Sequence, residues 1–218
     1  MMLPVKYFTN EEVSRIITVS ECIEVIDSLF KNIEDTQMPP KVYMNIPNGD
    51  FRAMPAIVGN TAGIKWCGVH LDETGTKRKI NIFAKILINE VEGGGLLAIL
   101  DGEALTAIRT AAVTGVATNY LASRHAKTAA FIGCGNQTKR QIEAVLSVRN
   151  IKTIKLYDLS EERANILKED LNYLQVRQTE PVTVSVYDDL EDCLWDSDIV
   201  TTLTPSRSPF IKHRYLKP

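Results

Sequence analysis

The chain has 218 residues and a mass of 24.3 kDa, and its 25 Lys+Arg against 27 Asp+Glu leave a net charge of −2. That length allows one large domain or two small ones, and the near-cancelled charge disfavours a partner in nucleic acid. With 44% hydrophobic and 24% charged residues, wholesale disorder is excluded. No apolar run approaches the ~20 residues that span a bilayer. The opening MMLPVKYFTNEE lacks the long apolar stretch of a signal peptide, so a soluble cytoplasmic protein with no membrane partner is expected.

In chain order, residues 1–35 read as helical. Thr9 with Glu12 fits a capping box, and Cys22, Ile26, Leu29, Phe30 and Ile33 form one apolar stripe at helical spacing. Pro39-Pro40 ends it, because proline has no N–H and pushes its predecessor out of the helical region. Strands follow at Lys41–Ile46 and Phe51–Ala56 around the turn Pro47-Asn48-Gly49-Asp50, then at Ala62–His70, Ile80–Val91 and Leu96–Leu100. Gly93-Gly94-Gly95 reads as a hairpin turn, and residues 74–79 as a solvated loop. From Glu103 to Arg124 an alanine-rich helix is expected, with Leu105, Ile108, Ala112, Val116 and Leu121 at helical spacing. Up to here the pattern is that of an α+β domain.

After Ala126 strands and helices alternate. Thr128–Ile132, Lys152–Tyr157, Val182–Val186 and Asp198–Leu203 read as strands, with helices at Gln137–Val148, from Ser160 to about Leu174, and at Asp189–Leu194. Alternation of this kind means βαβ units, a parallel sheet and right-handed crossovers. The fold class expected is therefore α/β: an α+β domain over residues 1–124, then a Rossmann-type domain over residues 125–218 that stops after its fourth strand.

Cys22, Cys67, Cys134 and Cys193 form no C-x-x-C pair, and His70, His125 and His213 are equally scattered. No zinc-ligand spacing exists, no metal is expected, and the thiols read as small buried hydrophobes of a reducing compartment.

Phe131-Ile-Gly-Cys-Gly-Asn-Gln137 is the most informative local signal. Gly133 permits a tight turn out of the strand, and Gly135 lets the backbone approach a pyrophosphate with no Cβ in the way. The helix that follows offers free N–H groups and a positive dipole end. The third small position holds Thr138 in place of Gly or Ala, which requires the helix to sit slightly farther out. Asp158, 20 residues beyond Thr138, ends the next strand, where a carboxylate accepts from ribose hydroxyls and repels a 2′-phosphate. NAD rather than NADP is the cofactor expected. The alternative is an ordinary glycine turn with a helix-capping Asp158. Thr204, Pro205 and Ser206 leave the fourth strand at the ligand edge of such a sheet and form either a wall of the cofactor site or a plain turn.

Arg52, Lys65 and Arg109 sit in apolar settings. Long cations are seldom buried without partners. Converging, they could clamp a substrate carboxylate, and a lysine in a dry pocket could move protons. The alternative for each is an outward-facing cation on a half-exposed element.

Taken together, QMPPKVYMNI, DFRAMPA, GIKWCGVH, LLAILDGEALTAIRTAAVTG, FIGCGNQ and DIVTTLTPSRSPFI resemble the ornithine cyclodeaminase/mu-crystallin family, nearest to its archaeal-type alanine dehydrogenases. The resemblance implies a homodimer whose subunit has a substrate and dimerisation domain followed by a Rossmann domain, with the active site between them. It implies that Lys65 is the catalytic acid/base or carbonyl-polarising group, and that Arg52, Lys65, Arg109 and, more weakly, Lys41 meet an amino-acid or keto-acid substrate. Asn81, Arg109, Thr110, Gly133, Gly135, Asn136, Gln137, Asp158, Thr204, Pro205 and Ser206 would hold NAD. The activity implied is oxidation of an L-amino acid through an imine to a 2-keto acid plus ammonia. The alternatives are cyclisation of L-ornithine to L-proline plus ammonia, or dinucleotide binding without catalysis. Lys85 stands where the family is apolar. The family continues past Pro218 with a strand and a loop bearing an aspartate that works opposite the lysine. A C-terminally truncated chain is therefore expected, and its own turnover is left open.

Overall fold

The computed structural model describes residues 4–72, 79–174 and 181–217. Residues 74–78 of the expected solvated loop lie outside them. Contacts divide the chain into two units: Met1–Glu21 with Asp27–Ile108, and Cys22–Ile26 with Arg109–Pro218. The sequence break expected at 124/125 falls at the end of a long helix, whereas the contacts divide that helix at Ile108/Arg109.

The first unit opens with β1 (Lys6–Phe8), α1 (Asn10–Ile16) and α2 (Val19–Lys31). The single helical stretch expected over residues 1–35 is corrected on two counts. Lys6–Phe8 is a strand, because it pairs in parallel with Ala98, Ile99 and Leu100 of a strand far ahead in sequence. The remainder breaks at Thr18, which starts a second capping box with Glu21 just as Thr9 does with Glu12. Short β2 (Thr36–Gln37) and β3 (Val42–Ile46) precede three long strands, β4 (Gly49–Val58), β5 (Thr61–Asp72) and β6 (Lys79–Glu90), and then β7 (Leu96–Asp101). The sheet runs β1-β7-β6-β5-β4-β2 with β3 also pairing β4, and of this sheet's pairs among the described residues only β1–β7 is parallel.

Alternation gives this sheet two different faces. Arg52, Met54, Lys65, Cys67, Val69 and Ala84 share one face, since Arg52 opposes Cys67, Met54 opposes Lys65, and Cys67 opposes Ala84. Cys67, Val69 and Ala84 are buried there with Met54 against them. The other face shows Val42, Met44, Phe51, Trp66 and Phe83, all exposed, with the Phe51 and Trp66 rings stacked 5.6 Å apart.

Lys85 joins that second face and ion-pairs with Asp101, its cross-strand partner, while its Nζ also donates to the Tyr7 hydroxyl at 2.6 Å. Hydrogen bonds from Lys85 and Tyr7 hold the Asp101 carboxyl below its usual range. A cation at this strand position is therefore satisfied at the surface and does not disturb the packing.

The helix α3 (Gly102–Leu121) carries Ile108, Ala111, Ala112 and Val116 buried. A Cβ on Gly115 would lie 2.5 Å from Ile23 Cδ1, so only glycine lets α2 approach this closely. The second unit continues as β8 (Thr128–Ile132), α4 (Thr138–Val148), β9 (Thr153–Tyr157), α5 (Glu161–Asp170), β10 (Thr183–Val186), α6 (Leu190–Leu194) and β11 (Ile199–Thr202). These strands are all parallel, in the order β10-β9-β8-β11. In units of their own sequence order that is 3-2-1-4, the doubly wound order whose switch point lies between β8 and β11. Both faces are covered: Ala129 and Phe131 of β8 enter one apolar cluster, Ala130 and Ile132 the other. An uninterrupted apolar strand is what two covered faces require. The one cation on β9, Lys155, is buried but satisfied, donating to the Trp195 carbonyl at 2.5 Å above the Tyr187 ring.

Candidate active site

At the switch point the chain leaves β8 through Gly133, whose φ of +102° is open to glycine and costly for other residues. A Cβ there would also lie 2.8 Å from the Leu203 carbonyl, so the turn after β8 and the loop after β11 abut. Gly133 N donates to Tyr157 O at 2.7 Å. The next amide, Cys134 N, donates to Asp158 Oδ2 at 2.7 Å, and Ser160 N donates to Asp158 Oδ1 at 2.8 Å. Asp158 thus ties the ends of β8 and β9 together. Each of its oxygens keeps a second lone pair, so it can still accept from a diol. Burial, with the Asp158 charge adding, pushes the Cys134 thiol up to about 12, which keeps it a neutral hydrophobe.

Thr138 is fully buried, and its hydroxyl donates to Gly133 O at 2.7 Å. The departure from Gly or Ala at this position is therefore absorbed by a side-chain bond that fastens the turn to its helix. The α1, α2, α5 and α6 helices each start with a capping Thr, Ser or Asp and acidic first turns. The α4 helix has neither, and a Cβ on Gly135 would meet nothing within 4 Å. The Thr138 amide is taken by Gly135 O at 3.0 Å, and the positive dipole end, with no side-chain cap and with open space beside Gly135, is the arrangement that takes a phosphate. Beside it the Gln137 Oε1 is buried without a hydrogen bond, an acceptor left for a ligand's donor. Asn136, Pro205 and Ser206 are exposed and Thr204 half-buried around the same mouth. The structure brings together Gly133, Gly135, Asn136, Gln137, Asp158 and Thr204.

In the first unit, Arg52 and Lys65 point from neighbouring strands to the same sheet face, one residue pair apart diagonally. The Lys65 Nζ donates to Thr106 Oγ1 on α3 at 2.8 Å. The Arg52 Nε and Nη2 donate to Asp50 Oδ1 and Oδ2 at 2.5 and 2.9 Å, and its Cζ lies 5.5 Å from the Tyr43 ring centroid. Lys41 is exposed just before β3. Asn81 opposes His70 and so lies on the opposite face from Lys65. Arg109 is exposed and Thr110 half-buried on the part of α3 that belongs to the second unit. Arg109 there opposes the burial that raises the Cys22 thiol.

Three partners escaped the sequence reading: Thr106, Asp50 and Tyr43. Asp50 was legible in principle, since D-x-R on a strand puts both side chains on one face. Thr106 lies three residues before Arg109 on one helix face, and only the tertiary fold shows that Lys65 reaches it.

The model of the ornithine cyclodeaminase/mu-crystallin family matches residues 6–218. An alanine dehydrogenase of Archaeoglobus fulgidus is 34% identical over 211 residues, 96% of this chain and 63% of that protein. A solved archaeal alanine dehydrogenase dimer with bound NAD superposes with a TM-score of 0.85 at 33% identity, over 97% of this chain and 64% of that one. Thermococcus litoralis Delta(1)-pyrroline-2-carboxylate reductase, solved with NADH and L-proline, superposes with a TM-score of 0.83 at 25% identity, over 97% of this chain and 66% of the other. The chain thus spans just under two thirds of the length of these relatives. With a match running from Lys6 to the end, through both the β4–β5 cations and the β8–α4 turn, the chain belongs to the ornithine cyclodeaminase/mu-crystallin family.

Proposed function

We propose that the protein takes part in NAD-dependent oxidoreduction of an L-amino acid through an imine, releasing a 2-keto acid and ammonia, in the manner of an alanine dehydrogenase. The observation that carries this reading is the uncapped α4 N-terminus behind Gly133 and Gly135, with Asp158 fastened across the strand ends. Those residues fit a dinucleotide. The α4 amides and Gly135 would receive the pyrophosphate, Asp158 the adenosine ribose, Gln137 a donor, and Thr204, Pro205 and Ser206 one wall. Bound NAD supplies a two-electron acceptor for the hydride on the substrate's α-carbon.

The chain's own residues do the rest. Arg52 binds carboxylate by its guanidinium fork, with Lys41 of the same unit as a further cation for the acid. The Lys65 amine, held by Thr106, takes a proton from the substrate amine as the imine forms. It then returns a proton to the nitrogen that leaves as ammonia once water has added to the imine carbon. NADH formed at the rate pyruvate and ammonia appear from L-alanine supports the reading. L-proline from L-ornithine without net NADH assigns the cyclodeaminase reaction in its place, and NADH binding with neither product leaves a binding protein.

The cofactor preference follows from Asp158. Asp158→Ala is expected to weaken NAD about tenfold or more, since two charge-assisted hydrogen bonds at ~1.5–3 kcal/mol each are at stake, and to narrow its lead over NADP. Fluorescence titration of both dinucleotides reads this, and an unchanged NAD:NADP ratio refutes it.

We further propose that the second face of the first unit's sheet is where two copies meet, the support being the dimer named for the alanine dehydrogenase relative. Stacked Phe51 and Trp66, with Phe83 70% exposed, make an apolar patch unusual on a monomer's surface. Sedimentation equilibrium is expected to give twice 24.3 kDa, and Trp66→Glu to give the monomer. A Trp66→Glu dimer would place the interface elsewhere. Four free buried cysteines agree with a reducing compartment, and no helix among the described residues is long and apolar enough to cross a membrane.

A further inference from the structure

The Arg52 guanidinium is already engaged, and the manner of engagement decides what it can bind. A guanidinium has five N–H donors: one on Nε and two on each Nη. They form a side edge, Nε with Nη2, and an end edge, Nη1 with Nη2, each matching one carboxylate. Asp50 occupies the side edge, with Nε–Oδ1 at 2.5 Å and Nη2–Oδ2 at 2.9 Å. The end edge is made of donors that bond leaves over, one on Nη2 and one on Nη1.

Two features make this a fixed arrangement. Asp50 and Arg52 are two residues apart on β4, so both side chains leave the same face of one strand. Tyr43, the cross-strand partner of Arg52 on β3, places its ring 5.5 Å from the guanidinium carbon. The carboxylate fixes the plane's edge and the ring covers one side. The pair is half-buried, with side-chain exposures of 33% for Arg52 and 18% for Asp50, so water competes less than at an open surface.

We propose that Asp50 is a positioning residue that turns Arg52 into a one-edge receptor for a carboxylate. It takes the side edge, aims the end edge, and cancels the guanidinium's net charge. The ligand class that fits is a planar two-oxygen anion, the carboxylate of a small 2-keto or amino acid; a spherical anion would gain little from a neutralised pair. This rests on the functional reading above only for the identity of the acid.

The test compares pyruvate affinity by calorimetry, with and without NADH, in the wild-type protein, Asp50→Asn, Asp50→Glu and Arg52→Lys. Asp50→Asn puts an amide NH₂ against an arginine donor and is expected to weaken pyruvate at least tenfold. Asp50→Glu, which keeps two acceptors, is expected to recover to within about threefold of wild type. Arg52→Lys keeps the ion pair but has no second edge, and is expected to lose pyruvate as severely as Asp50→Asn. Phenylglyoxal labelling followed by peptide mass measurement gives a readout that needs no ligand. Arg52 is expected to react several-fold faster in Asp50→Asn, with exposed Arg163 unchanged as the internal reference. A merely structural Asp50 would lower the melting temperature and leave pyruvate affinity at the wild-type value, and that result overturns the proposal. Pyruvate that binds in an Asp50-dependent way but is never reduced refutes the dehydrogenase reading and supports the role of Asp50. A wild-type protein with no measurable affinity for pyruvate refutes both.

Discussion

Replacing Arg149 with methionine is expected to destabilise the protein by about 3–4 kcal/mol and to lower its melting temperature by roughly 10 °C. Arg149 is buried just after α4, and its guanidinium fills the C-terminal end of α3. Nε donates to Ser123 O at 3.0 Å, and Nη1 to Val148 O at 2.7 Å and Asn119 Oδ1 at 3.2 Å. Nη2 donates to the carbonyls of Thr118, Asn119 and Ala122 at 2.8, 2.9 and 2.9 Å. A helix ends with four carbonyls that have no partner in the helix; here one cation serves two from the last turn, Thr118 and Asn119, and those of Ala122 and Ser123 just beyond it, while meeting the negative end of the dipole. Methionine keeps the apolar stem and removes the donors to Asn119 O and Ala122 O, while Thr118 O and Ser123 O keep only the Ala122 and Ala126 amides. Arg149→Lys is expected to recover less than half of the loss, since one ammonium cannot reach acceptors spread over Thr118 to Ser123. Thermal melts by circular dichroism measure both. A drop under about 3 °C for Arg149→Met contradicts this account.

Lys65→Met carries the largest expected effect on turnover, a loss of about 10²- to 10⁴-fold, the usual worth of a positioned acid/base. Lys65 is half-buried on the face shared with buried Cys67, Val69 and Ala84, and the Thr106 hydroxyl holds its Nζ at 2.8 Å. Methionine matches the side chain's length and apolar body, so β5 packing is retained while the proton carrier is lost. Lys65→Arg separates two roles. It keeps the positive charge but cannot release a proton near neutrality, and is expected to fail almost as badly. NAD affinity is expected to stay at wild-type level in both variants. Retention of more than a tenth of wild-type turnover in Lys65→Met removes Lys65 from the chemistry.

How far the sequence reveals this molecule depends on the kind of interaction. The parallel unit was legible because its signals are local and mutually consistent: an apolar β8 with both faces covered, a glycine turn, an uncapped helix, and an acid at the end of β9. The antiparallel strands β3 and β4 were legible as strand-like blocks flanking the turn at Pro47-Asn48-Gly49-Asp50. β1 was not, because three residues carry no periodicity and its partner β7 lies some ninety residues away. Arg149 in Ser147-Val-Arg-Asn150 reads as a loop cation, since nothing local says that the end of α3 is docked upon it. Lys85 looks misplaced on β6 until Asp101 and Tyr7 arrive from β7 and β1. Of the site, the glycines and cations show as residue types. Their holders, Thr106 for Lys65 and Asp50 with Tyr43 for Arg52, show only in the register and the fold.

The central claim is that a hydride leaves the α-carbon of an amino acid for NAD bound at the α4 N-terminus. The most direct measurement follows L-alanine deuterated at that carbon, incubated with the protein and NAD, by mass spectrometry of the products. The account predicts NADH one mass unit heavier, formed one-for-one with pyruvate and ammonia. Deuterium released to water, or pyruvate formed with unlabelled NADH, would contradict it.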